Sequence, residues 1–278
     1  NHFLYLIERN GAFPPRDDDR HRHVADPGAG FDAEKERMGM KYSVRDLSCG
    51  YDPARPVLDR LTFDLNDHEI CTVLGANGVG KTTLFKTLLR FIPALKGKVQ
   101  LDGKDVLKWS AMQQAKNIAY VAQSHTPPFP YLAGDVVMLG RVSSTGYFRQ
   151  PSELDRQIVR RAMEDMGVWH LRENSYTDIS GGERQLALLA RAIAQNAGLL
   201  IMDEPTRGID VGAKHEIYEL MNEIVANDKA IIMVASELPE LIGMCDRIYV
   251  IHEGKISGEV VKSDFSQELI MNYATGGI

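Results

Sequence analysis

Cysteine is scarce. Cys49, Cys71 and Cys245 are the only three in 278 residues, too few and too scattered for a disulfide framework or a Cys-rich zinc site. They read as small buried hydrophobes of a protein kept in a reducing compartment. Basic charge is not in excess either: 32 Lys and Arg stand against 38 Asp and Glu, a net −6, opposite in sign to the footprint of a sequence-independent nucleic-acid binder. No apolar run approaches the roughly 20 residues that cross a bilayer; the longest are stretches such as Ala230 to Ala235. If the protein works at a membrane, a partner is expected to span it. The remaining composition, 44% hydrophobic and 8% aromatic, suits one large globular domain or two small ones.

Residues 1–39 differ from the rest. They mix Asp17, Asp18 and Asp19 with scattered Arg, Pro14, Pro15 and Pro27, and show no period of 2 or 3.6, so a flexible extension is expected there. His21 and His23 have no cluster of further metal-ligating residues nearby. Met40 stands where a natural start would fit.

From Lys41 onward the chain alternates strand-like and helix-like segments. Tyr42 to Leu47, Leu61 to Leu65, Ile70 to Leu74, Val99 to Leu101, Ile118 to Val121, Leu199 to Met202 and Ala230 to Val234 read as strands. Thr82 to Arg90, Leu132 to Leu139, Leu154 to Met166, Glu183 to Gln195 and Ala213 to Val225 read as helices. The alternation predicts an α/β fold with a mostly parallel sheet, interrupted by helices between Pro127 and Ser180.

Three groups of residues carry chemistry. Gly75-Ala76-Asn77-Gly78-Val79-Gly80-Lys81-Thr82 fits the phosphate-loop pattern and lies between a predicted strand and a predicted helix. Glycines let successive backbone N–H groups face phosphate oxygens, Lys81 neutralises the β/γ-phosphates, and Thr82 offers a hydroxyl to Mg²⁺. Strand Leu199 to Met202 then delivers Asp203 and Glu204 to the carboxyl edge of the sheet. There Asp203 is placed to hold Mg²⁺ and Glu204 to orient or deprotonate the attacking water. Finally, Ser180-Gly181-Gly182-Glu183-Arg184-Gln185 opens a helix whose N-terminus is able to bind an anion; alone, it would be read as a helix cap.

With those residues in this order, the sequence from residue 41 to 278 resembles the ATP-binding subunit of an ABC transporter. Gly75 to Thr82 matches Walker A, Ser180 to Gln185 the signature, and Asp203 with Glu204 Walker B and its catalytic glutamate. Gln123 matches the Q-loop, and Tyr51 sits where the family's A-loop aromatic stacks on adenine. The resemblance implies a P-loop NTPase (RecA-like) core over residues 40–278, with an antiparallel β subdomain and a helical subdomain at about 124–182. It implies ATP and Mg²⁺ as ligands, with Gly75, Asn77, Gly78, Gly80, Lys81, Thr82 and Thr83 on the phosphates and Thr82, Gln123 and Asp203 on the metal. Two such subunits, most simply a homodimer, are expected to face head to tail. Ser180, Gly181, Gly182 and Gln185 of one then act on the ATP of the other, with Asp210 in the D-loop between them. Transmembrane permease subunits, docked near Gln123 to Arg149, would be the direct partners, and a solute-binding protein an indirect one. The expected location is peripheral, on the cytoplasmic face of the inner membrane.

The resemblance is not uniform. Residues 41–204, including Val136-Val137-Met138-Leu139-Gly140-Arg141, look like ATPases of metal-chelate importers, those for iron-siderophores, cobalamin or molybdate. Residues 205–278, with Pro205-Thr206-Arg207-Gly208-Ile209-Asp210 and His252-Glu253-Gly254, look like the second ATPase domain of monosaccharide importers such as those for ribose. Because the helical insertion chooses the permease, the first part implies a metal-chelate importer. Glu237 occupies the place where most of the family has a His on the γ-phosphate. An ionised Glu cannot donate a hydrogen bond to that phosphate, which implies slow hydrolysis; the alternative is a helix-start acid. A regulatory, ATP-gated clamp with weak hydrolysis is the competing function.

Overall fold

The computed structural model describes residues 40–123, 129–145, 149–235 and 238–277; the expected extension 1–39 lies outside them. In chain order the elements are β1 (Lys41–Cys49), β2 (Leu58–Asn66), β3 (Ile70–Gly75), α1 (Lys81–Leu88), β4 (Lys96–Leu101), β5 (Lys104–Asp105), α2 (Ala111–Asn117), β6 (Ile118–Val121), α3 (Ala133–Met138), α4 (Val142–Thr145), α5 (Glu153–Asp165), α6 (Gly181–Gln195), β7 (Leu199–Asp203), α7 (Val211–Ala226), β8 (Ala230–Val234), α8 (Leu238–Met244), β9 (Arg247–His252), β10 (Lys255–Val261) and α9 (Gln267–Thr275).

Two sheets result. The first is antiparallel, in the order β2-β1-β4-β5; the second runs β10-β9-β3-β8-β7-β6 and is parallel except for the pair β10 and β9. In the second sheet, the continuous apolar runs of β7 and β8 are buried throughout, as strands covered on both faces must be. Alternate residues serve different cores. Leu199, Ile201 and Ile232 join Leu84, Phe85 and the antiparallel sheet on one side; Leu200, Met202, Ile231 and Met233 join α6, α7 and the helices after β6 on the other. All three cysteines are buried free thiols, the environment their scarcity predicted.

Ser residues start the helices that matter for the insertion. Ser152 and Ser180 each form a reciprocal capping box, with Asp155 and Glu183 respectively, which satisfies N-terminal N–H groups that a helix leaves unpaired. Helix α5 is tied to its surroundings by a buried pair: Arg141 Nε donates to Asp155 Oδ1 at 2.9 Å, and Arg141 Nη1 to the Ala194 carbonyl at 2.8 Å. The elements expected from the sequence end at Val234; the structure adds α8, β9, β10 and α9 beyond it, and α2 before β6. β9 is the parallel neighbour of β3, so a strand that carries the phosphate loop depends on residues far along the chain.

Candidate functional site

The pocket begins where β3 ends. A Cβ on Gly75 would lie 2.5 Å from the Ile251 carbonyl oxygen, so β9 can pass this close only to a glycine. The loop closes at Gly80, in a left-handed conformation with φ +111°, and a Cβ there would stand 2.8 Å from Val57 Cγ1. Helix α1 follows directly. Its first residue, Lys81, is buried, and its Nζ donates to the carbonyls of Gly75 and Ala76 at 2.6 and 3.1 Å. Burial lowers the Lys81 pKa, opposed by the charges of Glu204 and Asp203.

Asp203 ends β7 beside Val234 of β8. Its carboxyl is raised above the usual range, first by burial and then by Glu204, against the pull of Lys81 and Lys86. Glu204 leaves the strand in a left-handed conformation, φ +48°, and its N–H donates to the Val234 carbonyl at 2.9 Å. That places its side chain at the sheet edge. Asn77, Gly78, Gly80, Lys81, Thr82, Thr83, Gln123, Asp203 and Glu204 all line one open pocket of about 430 Å³. The carboxyl ends of the parallel strands β3, β6 and β7 share this edge, where ligands of such sheets bind, and α1 turns its N-terminal residues Lys81, Thr82 and Thr83 to the same pocket.

Val57, Val234 and Arg207 line the same pocket, and sequence reasoning missed them as site residues. Val57 carries no chemical signal. Arg207 does: it lies three residues after Glu204, in a turn where its N–H donates to the Glu204 carbonyl at 3.1 Å.

Other expected site residues lie elsewhere. Ser180 caps α6, its Oγ accepting from the Glu183 N–H at 3.2 Å while Glu183 Oε2 accepts from the Ser180 N–H at 2.7 Å. Ser180, Gly181, Gly182 and Gln185 do not line the pocket, and Gln185 is buried. Asp210 precedes α7, and its carbonyl accepts from the Lys214 N–H at 3.0 Å. Tyr51 is exposed and also does not line the pocket. Glu237 lies outside the described residues.

A second concavity, of about 440 Å³, runs between α2, β6 and the helices that follow β6. Phe91 and Leu139 line it and are largely exposed. Among the described residues no helix is long and apolar enough to cross a membrane.

Known proteins place this geometry. A profile described as ABC transporter matches residues 58–207. The chelated iron transport system membrane protein YfeB of Yersinia pestis is 32% identical over 227 residues, covering 81% of this chain and 76% of its own length. The ribose import ATP-binding protein RbsA of Oceanobacillus iheyensis is 36% identical over 225 residues, 78% of this chain but 45% of its own, so this chain spans about half of that relative. In solved structures, a chain of a transporter described as of metal-chelate type, in an inward-facing conformation, superposes with a TM-score of 0.73 at 25% identity, covering 86% of this chain and 90% of that one. Relatives of both kinds that the sequence resembled are therefore present, and the chain belongs to the ATP-binding, ATP-hydrolysing subunits of the ABC transporter family.

Proposed function

We propose that this chain energises an importer of a metal-chelate type solute, hydrolysing ATP while separate permease subunits span the membrane. The observation that carries the ATPase reading is the convergence of Lys81, Thr82, Gln123, Asp203 and Glu204 on one pocket at the carboxyl edge of the sheet. Lys81 and the loop amides would hold the β- and γ-phosphates. Glu204 would accept a proton from water as the water oxygen bonds to the γ-phosphorus and the bond to the bridging oxygen breaks, giving ADP and phosphate. The donor set suits Mg²⁺: a Thr hydroxyl, a Gln amide oxygen and a carboxylate are hard oxygens, and burial of Asp203 disfavours its anion until a cation compensates it. When bound, the ion would neutralise charge on the phosphate oxygens.

Ser180, Gly181, Gly182, Gln185 and Asp210 are assigned to the ATP of a second subunit in a head-to-tail dimer, which is consistent with their separation from the pocket of their own chain. The groove at Phe91 and Leu139 is the seat we assign to a permease segment, putting the chain peripherally on the cytoplasmic face of the inner membrane. A solute-binding protein would act through the permease alone. In Lys81→Ala, Mg-ATP binding should fall below detection; unchanged affinity would refute the site.

The solute class rests on the helical insertion and on coverage: the chelated-iron relative is matched over most of its length. A monosaccharide importer is the second reading, favoured by the 36% identity to the ribose relative. Co-expression with a permease of each kind, scored by co-purification, separates them. Retention by the sugar permease alone overturns the metal-chelate assignment.

A further inference from the structure

At the opposite edge of the parallel sheet, two turns meet: Asp67 and His68 precede β3, and Asp228 precedes β8. The His68 N–H donates to the Lys229 carbonyl at 2.9 Å, which joins the turns through the backbone. The His68 ring is held as well. Its Nδ1 lies 2.9 Å from the Val225 carbonyl oxygen, an atom that can only accept, so Nδ1 carries the proton and donates. Nε2 faces carboxylates instead, 3.0 Å from Asp228 Oδ1 and 3.8 Å from Asp67 Oδ2.

This arrangement has a chemical requirement. With Nδ1 already protonated, Nε2 of a neutral ring presents a lone pair to two acceptors, and only a second proton or a metal ion turns that contact into attraction. The three donor atoms, one per residue, all lie within 4.8 Å of one another. An ion with bonds of about 2.0–2.1 Å holds its donors roughly 3.0–3.5 Å apart in tetrahedral or octahedral geometry, a spacing reached by small movements of Asp67 and the exposed Asp228. A carbonyl on the remote nitrogen is also how metal-binding imidazoles are commonly oriented. Lys229, the nearest cation in sequence, directs its ammonium to Asn196 Oδ1 at 2.7 Å.

We propose that Asp67, His68 and Asp228 form a binding site for a divalent transition-metal ion such as Zn²⁺. The site is separate from the nucleotide pocket and clamps the turn before β3 to the turn before β8. One imidazole nitrogen with two carboxylates selects Zn²⁺ over Mg²⁺.

The test titrates Zn²⁺ alone into the full chain, without nucleotide, by calorimetry, and reads the thermal transition in parallel. Asp228→Asn is the principal variant: its side chain is 89% exposed, and the bond from His68 Nδ1 to Val225 is untouched. It should weaken one Zn²⁺ site at least about tenfold, by analogy with the loss on disturbing metal-site partners. His68→Gln should remove the site, and His215→Gln, which alters the separate pair with Glu219, should leave it intact. Millimolar Mg²⁺ should not displace the ion. Equal Zn²⁺ affinity and stoichiometry in wild type, Asp228→Asn and His68→Gln would overturn the proposal, as would absence of binding to the wild type.

Discussion

Arg207 Nη1 stands 3.6 Å from Glu204 Oε2 across the wall of the nucleotide pocket. The guanidinium is mostly exposed, and exposed ion pairs contribute only about 0.2–1 kcal/mol. The position of Glu204 is therefore set chiefly by its left-handed backbone and its bond to Val234.

Arg207→Ala should accordingly change turnover by less than about fivefold, the equivalent of ~1 kcal/mol. Glu204→Gln should retain ATP binding while slowing hydrolysis by more than about a hundredfold, since the amide cannot take the proton. Saturating Mg-ATP turnover of the two variants side by side checks this. A larger loss in Arg207→Ala would make the arginine, not the backbone, the main constraint on Glu204.

Asp203 should trade stability for function. Burial raises its carboxyl above the unfolded value of 3.8, so the folded chain binds that proton to higher pH than the unfolded chain does. Stability from this group is present below the unfolded value and is lost as pH rises through the folded one. Asp203→Asn should therefore melt above the wild type at pH 7 without nucleotide, with the gap narrowing toward pH 4, and should lose hydrolysis. A lower transition at pH 7 would contradict the sign.

Asp155 runs the other way. Hydrogen bonds from Ser152 and Arg141 hold its carboxyl below the usual 3.8, so its contribution is present above that value and lost as pH falls through the lowered one. Asp155→Ala strands the buried Arg141 guanidinium, which should destabilise the chain by about 3–5 kcal/mol. Denaturant titration at pH 7 and pH 3.5 tests both points, the variant's deficit shrinking at the lower pH.

Tyr42 is fully buried, and its hydroxyl has no hydrogen-bond partner among the described residues. Leaving such a group unpaired costs about 1–3 kcal/mol. Tyr42→Phe should be neutral or raise the thermal transition by a few degrees, roughly 2–4 °C per kcal/mol at this size. A clear fall in that transition would show that the hydroxyl is satisfied in solution.

Fold class and the phosphate-binding end were legible because they depend on local pattern. The glycines around Lys81 fit a turn from a strand into a helix, and the short apolar run that ends in two acids at Asp203 and Glu204 reads as a strand buried on both faces; both are so in the structure. Pairing was not legible. Nothing in Arg247 to His252 announces that it lies beside β3, since parallel neighbours are chosen by the whole sheet. Arg207 escaped for a related reason, because its entry into the pocket depends on a turn whose geometry follows from the left-handed Glu204. Helix α2 did have a readable start, the Ser110 and Gln113 capping box, but its face buries no residue fully and shows little apolar period.

The pairing of Ile70 with Ile231 and of Cys71 with Arg247 also orders events during synthesis. At about 5–20 residues per second, strand β3 leaves the ribosome roughly 10–30 s before either of its neighbours exists. Throughout that interval both of its hydrogen-bonding edges are unpaired, in the strand that leads into the phosphate loop. ATP therefore cannot rescue a nascent chain by binding as soon as the phosphate loop is made: the pocket's wall at Val234 comes more than 150 residues after Lys81. Ligand-assisted folding of the pocket thus waits on β8 and β9.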